Sequence, residues 1–300
     1  AEAARSSHPV TDSQDPRRPL EAQGGALSGS RRSRLLGDPQ SGRRGVIVSI
    51  VSTLIVISVV GYVVVNSPGW DLVQESFLNP KYAAAAWPKI WAAFGRNVAL
   101  FLMAEVLVLM LGLLIAIMRS LKGPVFTPVR GFAIIYVDVF RGLPGILVVY
   151  VLGLGLPALG LPSNPFFWGL LALVLIYSAY VSEVYRAGIE SVHPSQDAAA
   201  RSLGLSQAQS MRWVVVPQAI RRIIPPLLND FIGLTKDTAL VSLIGVVEAF
   251  RRGQIEYAGS FNFTPIVVTG VLFLVLTIPM SRFVDWLVER DRRRQMATAR

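Results

Sequence analysis

Asp138, Arg141, Glu183, Arg186, Asn229, Asp230, Lys236 and Asp237 are the residues whose chemistry stands out in this chain. Each lies within or at the edge of an apolar run, where an ionisable or strongly polar side chain is costly and, when kept, usually functional. Asp138 and Arg141 are three residues apart, so they can share a helix face and pair; Glu183 and Arg186 have the same spacing. Lys236 and Asp237 are adjacent and point to different sides of a helix, so each needs a partner from another helix, a wet cavity or a solute. Asp230 and Asp237 are seven apart and share a face. Two chemistries fit this set. The charges can neutralise one another and hold helices together near an interface, where Glu183 and Arg186 could also snorkel. Alternatively they line a path along which a charged solute crosses the membrane. "RGLPG", 141–145, adds a weak point, because Pro144 lacks an amide donor and Gly142 and Gly145 loosen the helix. Such backbone either lines a wet cavity or is a simple proline kink.

Catalysis finds little support. There is no cysteine, and the two histidines, His8 and His193, are far apart. No His-Glu-x-x-His and no Gly-x-x-x-x-Gly-Lys-Ser/Thr phosphate loop occurs, so nothing in the chain itself is expected to bind a metal or nucleotide.

The elements that must position these charges are membrane helices. Of the 300 residues 52% are hydrophobic and 16% charged, with a mean hydropathy of +0.50; soluble domains run about 25% charged. Apolar runs of about 20 residues match a hydrocarbon core of about 30 Å. Strand-length alternation is absent, which argues against a barrel. The sequence predicts an all-α polytopic membrane protein with spans near 46–65, 97–118, 132–156, 166–185, 223–247 and 265–288. A cleaved signal peptide competes for the first run, which is long and lacks a clear cleavage site. Residues 1–44 are Ser-, Pro-, Gly- and Arg-rich and read as a disordered tail. The chain starts at Ala1, so part of that tail is expected to be processed or vector-derived. Residues 67–89 read as a mildly polar connection, and 291–300 as a basic tail.

The net charge is +10. Its clustering before the first span and after the second, fourth and sixth fits the cytoplasmic excess of Arg and Lys better than nucleic-acid binding. Both termini are then cytoplasmic. Arg251 and Arg252, on the opposite side, break the pattern.

"DAAARSLGLSQAQSMRWVVVP", 197–217, is too polar to span and too helix-prone to be a loose loop. Ser195 reads as an N-cap, Gly204 as a left-handed C-cap, and Ser206 with Gln209 as a capping box. Pro217 is expected to stop the second helix. The segment is either a hairpin lying on the headgroups or a docking element with Leu203 as its apolar knob.

Residues 97–288 resemble the permease subunit of a type I ABC importer of the polar amino acid branch. The cytoplasmic loop of that family opens on Glu-Ala-Ala, has a glycine six residues after the Glu and closes on hydrophobic-Pro. Ala199, Ala200, Gly204 and Pro217 stand at those positions, Arg201, Ser202 and Leu203 between them, and Ala198 where the Glu is usual. Asp197 offers an acid one residue early, which leaves open whether it takes over the Glu's contact. "YVDVFRGLPG", "YVSEVYRAGIESV" and the Lys236-Asp237-Thr238 run also resemble family segments.

The resemblance implies a five-helix core at 90–290 with a coupling loop at 194–217, preceded by an extra N-terminal span at 45–66. It implies a cytoplasmic ATPase dimer that binds ATP-Mg, a second permease chain, and an extracytoplasmic binding protein delivering a polar amino acid, glutamate- or glutamine-like or basic. Asp138, Arg141, Glu183, Asp230, Lys236, Asp237 and Thr238 become candidates for the substrate path. An ion-coupled secondary carrier or channel is the alternative, although no inverted repeat is visible in the sequence.

Overall fold

The structure, a computed structural model, describes residues 42–298. Among these, all regular structure is helical. The residues up to Trp70 form one unit and those from Asp71 a second. Most of the predicted N-terminal tail lies outside the described residues.

The first unit is built on α1, Gly42–Val65. Its side chains from 45 to 65 are all exposed although the stretch is strongly apolar. Twenty-one residues of helix reach about 31 Å, which spans a hydrocarbon core. Asn66 Nδ2 and Ser67 Oγ donate to the carbonyls of Tyr62 and Val64 and close the helix end.

From Asp71 on, the second unit holds the rest of α2, Trp70–Phe77, and α3, Pro80–Ser120. Most of the stretch predicted as a polar connection is therefore helical. Asn79 caps α3 by accepting from Lys81 N, Pro80 fits the first turn, and the Ala run at 83–86 favours helix. A 3-10 turn, Pro124–Phe126, leads to α4, Thr127–Gly142.

The predicted third span is not one helix. α4 ends at Gly142 and α5, Gly145–Tyr150, restarts after Leu143 and Pro144, with a bend of 105° between the two halves. Pro144 supplies no amide donor, and its own carbonyl accepts from Leu147 N to start α5. α5 runs on through a π turn, Val151–Gly155.

α6, Pro165–Glu190, is the central element, packed against α3, α4 and α9. The main core gathers Leu100 and Val108 of α3, Leu173 and Val181 of α6, Leu234 of α9 and Val241. After α6 come the short helices α7, Pro194–Ser202, and α8, Gln207–Ser210, then a π turn, Met211–Val215, and α9, Val216–Asp237. A 3-10 segment, Thr238–Ile244, ends on Gly245 at φ 95°. α10, Ala249–Ser260, and α11, Thr264–Thr298, complete the unit, so the predicted basic tail continues a helix.

Among the described residues four helices are long and apolar enough to cross a membrane, or five if the bent α4–α5 pair counts as one span. The expected span at 223–247 is not among them. Arg221, Arg222, Asp230, Lys236 and Asp237 lower the hydropathy of α9, which packs against α6, α11 and α3. With it the core is built on five elements: α3, α4–α5, α6, α9 and α11.

Arg251 and Arg252 fall on α10. Arg252 pairs with Glu256 at 2.8 Å, which also meets Lys89 of α3 at 2.8 Å.

Candidate coupling element and charged cleft

α7 starts two residues earlier than expected. His193, not Ser195, is the N-cap: its Nδ1 accepts from Ser195 N at 3.2 Å, with Pro194 in the first helical position. Proline suits that place because the amide it lacks would be unpaired there. The far end is a Schellman turn. Leu205 N donates to Ala200 O at 3.3 Å and Gly204 N to Arg201 O at 3.0 Å, with Gly204 at φ 89°. A side chain at Gly204 would strain this conformation. Ser206 and Gln209 form the predicted capping box.

Pro217 does not stop the second helix. It sits in the first turn of α9, directly after the π turn in which Val216 N reaches back to Met211 O. The widened turn already shifts the hydrogen-bond register, so the missing proline amide breaks little. Gln218 Nε2 donates to Val214 O at 3.0 Å. The result is one continuous path of backbone from the hairpin into α9.

The hairpin is packed rather than loose. Ser210 Oγ donates to Asp197 Oδ1 at 2.6 Å, joining α8 to α7. Arg222 of α9 donates to Ser191 O at the end of α6. Val192, Val215, Ala219 and Ile223 form a small core behind these contacts. The outward face carries Leu203, 86% exposed, and Trp213, 64% exposed, with the Arg212 guanidinium 4.9 Å from the Trp213 ring. Ala198 and Ala199 are exposed and Ala200 is buried.

A second feature is an open cleft of about 460 Å³ between α4, α6 and α9, lined among others by Arg141, Tyr180, Glu183, Arg222 and Asp230. Glu183 is its hub. It accepts from Arg119 of α3 and from Arg186 at 2.7 Å, and lies 3.6 Å from Arg141. Arg186 also meets Glu190 at 2.6 Å. The expected Asp138–Arg141 pair does not form. Arg141 turns to α6, where Glu183 offers a carboxylate and Tyr180 a ring face at 5.6 Å. Asp138 is exposed and forms no ion pair among the described residues.

Asp230 points into the cleft with Oδ2 buried and unbonded. Asp237 accepts from Tyr177 OH at 2.8 Å, and Lys236 is exposed. Thr238 is fully buried, bonded to Asn97 Nδ2 at 3.0 Å and to Thr235 O. The structure thus brings Arg141, Glu183 and Asp230 together in the cleft, and leaves Asp138, Lys236, Asp237 and Thr238 outside it.

Residues 108–293 match the family described as binding-protein-dependent transport system inner membrane component. The chain belongs to this family.

Its similarity extends over most of individual relatives. The probable glutamine ABC transporter permease protein GlnM of Bacillus subtilis is 35% identical, over 60% of this chain and 82% of its own length. The arginine transport system permease protein ArtQ of the same organism is 35% identical, over 65% of this chain and 90% of the relative. The L-cystine transport system permease protein TcyB is 32% identical, over 73% and 84%. A crystal structure of an amino acid ABC transporter with histidines matches at a TM-score of 0.65 with 33% identity, over 69% of this chain and 96% of the other. The MetNI methionine ABC transporter in an inward-facing form shares the fold, with a TM-score of 0.53 at 16% identity.

As an inner membrane component of a binding-protein-dependent system, the chain is a multi-pass permease subunit with the type I importer fold. Membership implies ATPase subunits and a substrate-binding protein as its associates.

Several residues of this inner membrane component escaped the sequence reading. Glu105 lies within a span on α3, in the electrostatic field of Asp230 and near Tyr185. Its signal was present, since a carboxylate inside an apolar run is unusual. Arg119 and Arg222 looked like ordinary loop and interface charges, and only the packing of α3 and α9 on α6 brings them to Glu183 and Ser191. Ser210 carried no signal beyond its place in the hairpin.

Proposed function

We propose that this permease subunit imports a polar amino acid, using ATP hydrolysed by partner subunits. The substrates named for the relatives, glutamine, arginine and cystine, carry the substrate class. A cleft offering both charge signs supports it, because an amino acid zwitterion needs both or enough water. In this reading Arg141 meets the carboxylate and Asp230 the ammonium in the cleft beside Glu183, and Asp138, Lys236, Asp237 and Thr238 belong to the path outside it. Two permease chains, identical or related, form the pathway, and an extracytoplasmic binding protein delivers the substrate.

The hairpin at 194–217 is the ATPase-coupling element. Leu203 and Trp213 on its outward face supply apolar anchors of the kind that seat a short helix in a groove. With both termini cytoplasmic the hairpin faces the ATPases. Their closure on ATP draws two hairpins together, and α9 carries the motion to the charges in the membrane. ATP-Mg belongs to those partners, and this chain's part is mechanical.

Purification of the chain in mild detergent tests the reading. An ATPase is expected to copurify, and its turnover in proteoliposomes should rise with a binding protein and its amino acid. Transport that persists with no ATPase present would instead make the chain a secondary carrier.

A further inference from the structure

We propose that Asp197 is a positioning residue that acts inside the chain: it staples the two arms of the hairpin through Ser210 and does not substitute for an acid at position 198. The inference rests on the reading of the hairpin as the coupling element.

The geometry of α7 separates the two positions. Successive residues of a helix are rotated by about 100°. Ala198 and Ala199 are exposed, whereas Asp197 is half-buried and turned toward α8. There its Oδ1 accepts from Ser210 Oγ at 2.6 Å. Ser210 is fully buried with Asp197 in place, so this carboxylate is the acceptor its hydroxyl meets. A carboxylate engaged in this way, on the inner side of the helix, cannot also reach a partner seated over the outer side.

The bond has a mechanical consequence. The link at Gly204 is a tight turn held by bonds within the chain's own 200–205 segment, and the outer knob Leu203 touches little of the protein. The angle between α7 and α8 is therefore set farther back, where Asp197 meets Ser210 and where Gln218 Nε2 lies 3.4 Å from Gln196 Oε1. α8 passes without a break through the π turn into α9. A push on α7 moves α9 only while the two arms are held as one body. Without the staple, α7 would hinge at Gly204 and the push would be lost.

The test uses the assembled transporter, with its ATPase and binding protein, in proteoliposomes. The readout is amino acid transported per ATP hydrolysed, at matched amounts of intact complex. Asp197→Ala and Ser210→Ala should each lower that ratio about five-fold, the equilibrium equivalent of one hydrogen bond, and the double variant should be no worse. Asp197→Asn should stay near wild type, because its amide oxygen still accepts from Ser210. The chain has no cysteine, so oxidising Asp197→Cys with Ser210→Cys should restore coupling specifically across this joint. If Asp197→Asn falls as far as Asp197→Ala while Ser210→Ala is silent, the charge acts on an outside partner and the proposal is wrong. Wild-type ratios in all variants would also overturn it. Failure of any ATPase to assemble with the wild-type chain would instead sink the coupling reading, and this proposal with it.

Discussion

The Asn97 side-chain amide donates to the Glu248 carboxylate at 2.9 Å, joining α3 to the start of α10 across 151 positions of sequence. Both side chains are buried. The same amide group reaches Thr238 Oγ1 at 3.0 Å, and Asn97 Oδ1 accepts from Ala249 N at 3.0 Å. Glu248 in turn caps α10 by accepting from Phe250 N and Arg251 N. One asparagine thus fixes the start of the 3-10 segment and the entry to α10. Asn97→Leu removes these bonds and leaves buried polar groups unpaired. A loss of about 2–3 kcal/mol is expected, read as a lower thermal unfolding midpoint in detergent. Glu248→Gln keeps a capping oxygen and should lose less.

The crossing of α6 and α9 beside the hairpin depends on having no side chain at Gly188. A Cβ there would lie 2.1 Å from Ile223 Cγ1. Gly188→Ala should destabilise the subunit by about 1–3 kcal/mol through overpacking. Adding Ile223→Ala should recover part of that loss, measured by the same unfolding assay. An unaltered midpoint in Gly188→Ala would mean the crossing is looser than the contact implies.

Gly204 holds φ 89° in the hairpin turn. Gly204→Ala should cost about 1–2 kcal/mol locally and weaken transport modestly. Gly204→Pro cannot adopt the turn. With normal expression it should uncouple or release the ATPase, scored by copurification and by transport. Unchanged transport in Gly204→Pro would remove the hairpin from the coupling mechanism.

Arg141→Met, Lys236→Met and Asp237→Asn probe the proposed path in a reconstituted complex. Each should reduce transport at least about ten-fold if its charge meets the substrate, the range expected for a lost charged hydrogen bond, while ATPase association stays intact. Wild-type uptake in all three variants would rule out the path assignment.

The cleft and the hairpin were legible in the sequence to different degrees. Residue types at fixed spacing announced the hairpin, because Gly204, Ser206 and Gln209 act within one turn of themselves. Asp197 and Ser210 were both in view, but their contact joins two helices around a turn and has no local signature. The Asp138–Arg141 pair shows the converse. Helical spacing made it possible, and Glu183 on another helix offered Arg141 a better partner. The weak point of the third span was legible at Gly142, Pro144 and Gly145, whereas the 105° angle of the bend there was not, because it is set by the packing of the two halves.

By itself the sequence determined the membrane class, the all-helical fold, the family and the presence of a capped hairpin. Those depend on composition, apolar run length and short-range hydrogen-bonding chemistry, which act within a few residues. Only the tertiary structure decided which charges meet, which face of α9 is buried, and where the carboxylate of Asp197 is engaged. Those outcomes depend on side chains brought together by helix packing, and the energy of a charge inside a membrane protein is set by such neighbours rather than by its place in the chain.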